Sequence, residues 1–290
     1  MREKKLIVFD LDGTVLGRKS GQISLRTIQA LENVGNRGVI LATATGRAVS
    51  LIPESVRGIR GLRWLISSNG ARVSKNSDIP GAKVLIQNEM ERELVLETLE
   101  VARAFGSAFN LYCQESIVVE ERSLEIYEST RKQAELGQRW AGFLRRNAIL
   151  VPCAPAFLKG SGYQVEKLSC LQDGSLDWDT LCEKLQKTEE MEAILASQYE
   201  IEITSRNIDK GSGLAGLESA LGIEKDDVLV FGDSRNDISM KSASRYFVAM
   251  GDGDSAVFSY ADFITASSYQ DGVAVFLENY LKQILSEMKI

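Results

Sequence analysis

The chain has 290 residues, more than one typical hydrophobic core requires, so we expect one large domain or two of moderate size. Its 34 basic and 40 acidic side chains leave a net charge of −6, which argues against general binding to nucleic acid or to an anionic membrane surface. The sequence has no histidine, which excludes Ser-His-Asp and Cys-His triads and imidazole-ligated zinc, so its chemistry must use carboxylates, lysine, hydroxyl groups or an oxygen-bound metal.

No apolar run approaches the roughly 18 residues that a membrane-spanning helix needs. The apolar run near Met1 ends at Asp10, too early for a signal segment, so we expect a cytoplasmic protein with no membrane partner. The four cysteines form no Cys-x-x-Cys pair, which indicates reduced, mostly packed thiols. No apolar stripe remains unassigned, and we therefore expect a monomer.

The first predicted element is a buried strand at residues 6–9, which ends at Asp10 and Asp12. Parallel sheets place their ligand sites at the carboxyl ends of their strands, and a turn at Gly13 lets the two carboxylates face one pocket. Two crowded carboxylates repel each other unless one is protonated or a cation lies between them. The pair thus indicates acid/base chemistry or a divalent metal, although an ordinary Asp-Gly turn remains an alternative.

A helix over 24–36 and a second buried strand over 38–44 follow. This strand ends at Thr45-Gly46-Arg47, where a hydroxyl group and free backbone N–H groups suit an anion, although a plain strand-to-helix turn is equally open. A third strand, beginning at Trp64, ends at Asn69. Strands that alternate with helices predict a doubly wound α/β sheet.

The composition changes in the middle of the chain, where strands with period-two alternation accompany amphipathic helices. This pattern predicts an inserted α+β domain with an antiparallel sheet. We expect a core domain over 1–82 and 206–290 and the insertion over 83–205. Within the insertion the sequence predicts strands at 117–120 and 200–204, helices at 89–105, 124–144 and 177–187, and loop at 152–155 and 159–162.

The core pattern resumes after the insertion, beginning with Lys210 in a loop. A helix over 213–221 and a buried strand over 228–231 follow, and the strand exit carries Asp233, Asn236 and Asp237. The remaining predicted elements are strands at 246–250 and 263–266 and a closing helix at 271–288.

A series of short motifs recurs at these strand exits: Asp10-Leu11-Asp12-Gly13-Thr14, Thr45-Gly46-Arg47, Ser68-Asn69-Gly70-Ala71, Lys210-Gly211, Gly232-Asp233-Ser234-Arg235-Asn236-Asp237, Met250-Gly251 and Asp271-Gly272-Val273. In this order, they make the chain resemble the haloacid dehalogenase-like phosphohydrolase superfamily, and above all its Cof-type phosphatases with a large α+β cap. The resemblance covers the whole chain. It implies a doubly wound parallel-sheet core, with the insertion as the cap.

The resemblance also implies roles for the carboxylates. Asp10 would attack phosphorus and form an aspartyl-phosphate, and Asp12 would protonate the leaving alcohol and then activate water. Mg²⁺, the implied cofactor, would be held by Asp10, the backbone carbonyl of Asp12 and Asp233, with Asp237 in or near this set. Thr45 and Lys210 would hold the transferring oxygens. The other implied phosphate-binding residues are Gly46, Arg47, Asn69 and Asn236.

The chain departs from the family pattern at Asp252-Gly253, where an Asn-Ala pair is usual. An additional carboxylate facing the site would change the electrostatics of its neighbours.

The sequence therefore predicts a Mg²⁺-dependent phosphatase acting on small phosphorylated metabolites, with sugar phosphates the leading class. A dedicated phosphatase for a disaccharide phosphate or a glycosyl-phosphoglycerate is an alternative, and a non-catalytic module that binds a phosphorylated ligand is another. The run 211–216 also satisfies Gly-x-Gly-x-x-Gly, and Asp233 ends a later strand as a ribose-binding acid would, so a dinucleotide site is a further alternative.

Overall fold

The structure is a computed structural model that describes residues 4–18, 20–77, 83–130, 134–172, 178–185, 189–197 and 199–287. Its strands, in chain order, are β1 (Leu6–Phe9), β2 (Ile40–Ala44), β3 (Leu62–Ser67), β4 (Arg72–Lys75), β5 (Val84–Gln87), β6 (Ala108–Cys113), β7 (Ser116–Glu120), β8 (Ile149–Val151), β9 (Lys167–Leu171), β10 (Met191–Ser197), β11 (Glu200–Ser205), β12 (Val228–Gly232), β13 (Tyr246–Ala249) and β14 (Phe263–Ile264). Its helices are α1 (Leu25–Gly35), α2 (Glu54–Arg57), α3 (Arg92–Ala104), α4 (Glu121–Thr130), α5 (Ala134–Asn147), α6 (Ala154–Gly160), α7 (Trp178–Leu185), α8 (Lys210–Leu221), α9 (Ser255–Phe258) and α10 (Gly272–Glu287).

The chain divides into two compact units. The first contains Met1–Gly46, Ile52–Ile86 and Asp209–Ile290, and the second contains Arg47–Leu51 and Gln87–Ile208. The short segment Arg47–Leu51 thus groups with the second unit, although only Thr45 and Gly46 separate it from strand β2 of the first. The domain boundaries expected from the sequence stay a prediction.

The first unit is built on a sheet with the strand order β14-β13-β12-β1-β2-β3-β4-β5. Strands β14, β13, β12, β1, β2 and β3 pair in parallel, and β3 pairs with β4 in antiparallel fashion. All four residues of β1, Leu6–Phe9, are buried, as expected for an inner strand covered on both faces. The predicted fold class, a doubly wound parallel-sheet core with an inserted α+β unit, is confirmed.

The second unit is built on a sheet with the strand order β10-β11-β9-β6-β7-β8, antiparallel except where β7 pairs with β8. Alternate residues of β6 lie in different hydrophobic clusters. Phe109 and Leu111 pack in a cluster with α3, α6 and α7, whereas Ala108 and Tyr112 pack in a cluster with α4 and α5. Both faces of the sheet are therefore covered, because successive side chains of a strand point to opposite faces.

Two predictions in the second unit were wrong. The predicted loops at 152–155 and 159–162 both overlap the helix Ala154–Gly160. A helix forms here because Pro155 lies in the first turn, where no intrahelical N–H bond is needed, and Leu158 is buried. The single helix expected over 124–144 is two helices, Glu121–Thr130 and Ala134–Asn147.

Cys113, Cys153 and Cys170 are free thiols in the described part of the chain. Cys113 and Cys170 are buried, and burial raises the pKa of the Cys113 thiol to about 12. A thiol with this pKa is almost fully protonated at neutral pH and hence a poor nucleophile. No helix within the described ranges combines the length and the apolar character needed to cross a bilayer.

Candidate active site

Asp10 and Asp233 come together because their strands are neighbours in the sheet. Strands β1 and β12 pair in parallel with Phe9 opposite Phe231, so both chains leave the sheet at the same edge. The Asp10 N–H continues the hydrogen bonding between the two strands by donating to the Phe231 carbonyl at 3.1 Å. The two carboxylates therefore lie at the carboxyl edge of the sheet, where parallel sheets place their ligand sites.

Asp237 completes a group of three buried carboxylates with Asp10 and Asp233. One oxygen from each residue lies within 4.8 Å of the others. Asp237 is held by the loop that follows β12, because its Oδ2 accepts the backbone N–H groups of Asp233 and Ser234, both at 2.9 Å. A Cβ atom at Gly232 would lie 2.5 Å from the Asp237 Cβ atom, so only glycine allows this approach.

Lys210 supplies a buried positive charge to this group. Its Nζ donates to Asp10 Oδ1 and to Asp237 Oδ1, both at 2.7 Å, and its side chain is 1% exposed. Lys210 is the first residue of helix α8, whose preceding residue, Asp209, accepts the Ser212 N–H at 2.7 Å as a cap. The cap fixes the start of the helix and thereby places the ammonium between the two carboxylates.

The loop around Gly70 also determines the position of Lys210. Gly70 has φ +94°, and an added Cβ would overlap the carbonyl group of Asp209. Asn69, just before it, has the left-handed conformation at φ 55° and ψ 37°. Backbone therefore packs directly on backbone at the start of α8, and a side chain at position 70 would separate them.

Burial and mutual repulsion change the pKa values of these groups. Burial raises the pKa of the Asp10 carboxyl well above its usual range, while Lys210 opposes this shift and Asp237 adds to it. Burial, with Asp237, raises the pKa of Asp233 to about 6, and Arg18 opposes this shift. For Lys210, burial lowers the pKa, but the Asp10 and Asp237 carboxylates outweigh it and raise the pKa above its ordinary value. Lys210 is therefore cationic at every physiological pH.

Asp12 differs from the buried carboxylates because it is exposed. It lies in a tight loop in which Gly13 N–H donates to the Leu16 carbonyl at 3.0 Å and Leu16 N–H donates to the Leu11 carbonyl at 2.8 Å. Its charge contributes to the raised pKa of Asp10. Its carboxylate does not belong to the group formed by Asp10, Asp233 and Asp237.

Three of the predicted phosphate-binding residues are linked at the same edge. The Asn69 N–H donates to the Thr45 carbonyl at 3.1 Å, and Asn236 Nδ2 donates to Asn69 Oδ1 at 3.4 Å. Thr45 and Asn69 are 1% and 8% exposed. The exits of strands β2, β3 and β12 thus bring these three residues together.

Arg47 lies in the second unit, whereas Gly46 is the last residue of the preceding segment of the first. The Arg47 guanidinium stacks over the Trp140 ring at 5.1 Å, and its Nη1 donates to the Leu51 carbonyl at 2.8 Å. Its predicted phosphate-binding role stays a prediction.

Sequence reasoning missed two partners of Asp233. Thr14 Oγ1 donates to Asp233 Oδ1 at 3.2 Å, and an Arg18 Nη2 donates to Asp233 Oδ2. Thr14 belongs to the first motif and could have been included for its hydroxyl group. No sequence pattern pointed to Arg18 as a partner of Asp233, because it lies in a polar loop that resembles any solvated turn.

The glycines at 211–216 have a packing role. They lie inside helix α8, and a Cβ atom at Gly213 would lie 2.8 Å from Gly70 Cα, whereas one at Gly211 would meet the Ser239 carbonyl group. The strand before them, β11, pairs only in antiparallel fashion. A dinucleotide fingerprint instead needs a tight turn directly after an inner parallel strand. The Gly-x-Gly-x-x-Gly spacing is therefore explained by helix packing.

A family model described as haloacid dehalogenase-like hydrolase matches residues 7–277. The chain belongs to this family. The curated relatives include the 5-amino-6-(5-phospho-D-ribitylamino)uracil phosphatase YcsE of Bacillus subtilis, 24% identical over 96% of each chain. They also include the phosphatase YwpJ of Bacillus subtilis, 25% identical over 96% of this chain and 100% of the relative.

Among solved structures, the subclass IIB sugar phosphatase BT4131 has the same fold, with a TM-score of 0.77 and 22% identity over 95% of this chain and 98% of that chain. The resemblance inferred from the motifs is confirmed by the family match. The predicted enzyme class, a phosphatase of the haloacid dehalogenase-like family, is confirmed as well.

The donor set fits a hard divalent cation. All three clustered ligands are carboxylates, and they are buried, close together and mutually repulsive. Mg²⁺ prefers such oxygen ligands and usually uses one or two protein carboxylates together with waters and substrate phosphate. These carboxylates could therefore hold Mg²⁺.

Proposed function

We propose that the protein is a Mg²⁺-dependent phosphatase that hydrolyses small phosphorylated metabolites, with sugar or polyol phosphates the leading class, through an aspartyl-phosphate. The observation that carries this proposal is the contact of Lys210 with both Asp10 and Asp237, in a group that also includes Asp233. The expected cytoplasmic, monomeric state belongs to the same proposal.

Asp10 is proposed as the nucleophile. One of its carboxylate oxygens forms a bond to phosphorus while the bond between phosphorus and the leaving alkoxide breaks. Asp12, which is exposed, gives its proton to that alkoxide. In the second step Asp12 takes a proton from water, the water oxygen attacks phosphorus, and the bond to Asp10 breaks to release inorganic phosphate.

Lys210 and the strand exits are proposed to bind the phosphoryl oxygens. The Lys210 ammonium, already 2.7 Å from Asp10 Oδ1, offers a fixed positive charge beside the nucleophile. Thr45, Asn69 and Asn236 lie together at the same edge and offer polar groups. Asp10, the Asp12 carbonyl and Asp233 would hold Mg²⁺, with Asp237 adjacent, and the ion would neutralise negative charge on the phosphoryl group.

The presence of both Asp10 and Asp12 favours an enzyme over a module that only binds a phosphorylated ligand. A binding module has no use for a buried nucleophile followed two residues later by an exposed acid. The choice of substrate rests on the relatives alone. One of them is named a phosphatase of a phosphoribitylamino compound, and a structure with the same fold is that of a sugar phosphatase.

The test is phosphate release from a panel of sugar phosphates, polyol phosphates, 5-amino-6-(5-phospho-D-ribitylamino)uracil, a disaccharide phosphate and a glycosyl-phosphoglycerate. Each compound is assayed with MgCl₂ and with EDTA, using wild type, Asp10→Asn and the matched surface variant Asp226→Asn. We expect metal-dependent release by wild type and Asp226→Asn and none by Asp10→Asn. Undiminished release by Asp10→Asn would contradict the mechanism, and no release from any compound would favour the binding module.

A further inference from the structure

The Arg18 side chain lies on the carboxylate that the proposed metal site needs. One Arg18 Nη2 donates to Asp233 Oδ2, and the Asp233 side chain is 1% exposed. The contact is possible because position 13 is glycine: a Cβ atom there would overlap Asp233 Oδ2 and lie 3.1 Å from Arg18 Cζ. The loop after β1 therefore brings a permanent cation to the metal-binding group.

The carboxylate of Asp252 also lies near Arg18. The Arg18 Nε lies 3.7 Å from Asp252 Oδ2. The Asp252 side chain is fixed, because its Oδ1 accepts the Ser268 N–H at 2.8 Å and its Oδ2 accepts the Ser268 hydroxyl at 2.7 Å. An asparagine at position 252 would carry no charge to attract the guanidinium.

Two positive charges cannot share Asp233 without strong repulsion. A divalent cation held by Asp233 would have to displace Arg18, whose side chain is 42% exposed and can move. The fixed carboxylate of Asp252 is already within reach. A cation that displaces Arg18 from Asp233 would therefore leave the guanidinium paired with Asp252.

We propose that Arg18 is a tethered competitor of the divalent cation for Asp233, and that Asp252 is the acceptor that holds Arg18 when the cation binds. The inference rests on the proposed Mg²⁺ site and deepens it. It makes Arg18 and Asp252 positioning residues that set the concentration of Mg²⁺ at which the site fills. The apparent affinity is reduced by the fraction of molecules in which Arg18 occupies Asp233.

The experiment measures Mg²⁺ binding to the purified full chain without substrate, by calorimetry and by the rise in Tm with MgCl₂. Arg18→Gln should bind Mg²⁺ about tenfold more tightly than wild type, because the competitor is gone. Asp252→Asn should bind several-fold more weakly, because Arg18 loses its acceptor. Arg18→Lys keeps the charge and should lie closer to wild type.

Two controls separate this inference from a general change in charge. Arg26→Gln removes an exposed pair with Glu278, at 2.9 and 2.7 Å, and should leave Mg²⁺ affinity unchanged. In the Arg18→Gln background, Asp252→Asn should change the Kd for Mg²⁺ by less than about twofold. The reason is that Asp252 is proposed to affect Mg²⁺ binding only by holding Arg18.

The outcomes distinguish this inference from the proposed function. Equal Kd values for wild type and Arg18→Gln, or an equal effect of Asp252→Asn in both backgrounds, would overturn the competitor role and leave the Mg²⁺ site intact. If neither wild type nor Arg18→Gln binds Mg²⁺, the proposed site itself is wrong.

Discussion

The Lys210 ammonium lies 2.7 Å from Asp10 Oδ1, although the two residues are 200 positions apart in the chain. Both side chains are nearly inaccessible to solvent, at 1% and 5% exposed. A buried charge is tolerated when it is paired and hydrogen-bonded. This pair therefore connects the stability of the first unit to the proposed chemistry, since Lys210 balances the same carboxylate that is proposed to attack phosphorus.

Replacing Lys210 by Met should remove activity and also destabilise the protein. Asp10 and Asp237 would be left as buried carboxylates without their shared cation, and breaking such a pair typically costs about 3–5 kcal/mol. Urea unfolding at pH 7.5 measures the loss. The loss should shrink at pH 5.5, because the orphaned carboxyls can then take up protons more readily.

The matched control is Lys75→Met, since Lys75 is exposed at the end of β4. It should leave stability nearly unchanged at both pH values. An equal loss of unfolding free energy in the two variants would show that the Lys210 ammonium does not neutralise the charges of Asp10 and Asp237. A Lys210→Met loss that does not depend on pH would show the same.

Replacing Asp12 by Asn should separate activity from stability. Asp12 is exposed, so its removal should change Tm little, while loss of the proposed general acid should lower kcat by about 10²- to 10⁴-fold. The decisive comparison is between substrates. A phosphate ester with a good leaving group needs less protonation and should lose less activity. Equal losses for good and poor leaving groups would argue against the acid role.

Replacing Gly70 by Ala should be much more harmful than replacing Gly38 by Ala. The two glycines have closely similar positive φ, +94° and +89°, so both variants carry similar backbone strain of about 1–2 kcal/mol. Of these two sites, only at Gly70 would the new Cβ overlap backbone, at the Asp209 carbonyl, whereas at Gly38 it meets nothing within 4 Å.

Gly70→Ala should therefore lower Tm further and also lower kcat, because it shifts the start of α8 and with it Lys210. Calorimetry and steady-state kinetics on the two variants measure these effects. Equal Tm losses with full activity in both would show that the contact between Gly70 and Asp209 does not position Lys210.

Replacing Glu218 by Gln should stabilise the protein increasingly as pH rises. Glu218 is 8% exposed, its Oε1 has no hydrogen-bond partner among the described residues, and burial raises the pKa of its carboxyl from 4.5 to about 7, with Lys225 opposing. Below about pH 4.5 the carboxyl is protonated in the folded and unfolded chains alike, so its titration does not lower the free energy of unfolding. Between pH 4.5 and 7 the unfolded chain loses its proton first, and the folded state is progressively destabilised.

The difference in unfolding free energy between Glu218→Gln and wild type should therefore change by on the order of 1 kcal/mol between pH 4.5 and 8, in favour of the variant. Urea titrations at several pH values measure it. Glu224→Gln, at an exposed position, is the control. A difference that does not vary with pH would mean that Glu218 is ionised as readily in the folded as in the unfolded chain.

Local apolar runs predicted the inner strands of the first unit well and the helices of the second unit less well. The inner strands β1, β2, β3 and β12 were predictable because an inner parallel strand is apolar on both faces, and each ended within two positions of the prediction. The antiparallel strand β4 was not predicted. In the second unit, periodicity could not separate two consecutive helices, and the helix Ala154–Gly160 was hidden by prolines that a first turn accepts.

By itself, the sequence determined the α/β core, the family, and the chemical character of the residues at the strand exits, because these depend on local apolar runs and on which residue types follow them. Only the tertiary structure decided that Lys210 bridges Asp10 and Asp237, and that Arg18 lies between Asp233 and Asp252. Such contacts join residues far apart in the chain. They depend on strand order and on backbone packing at Gly13 and Gly70, which no local pattern encodes.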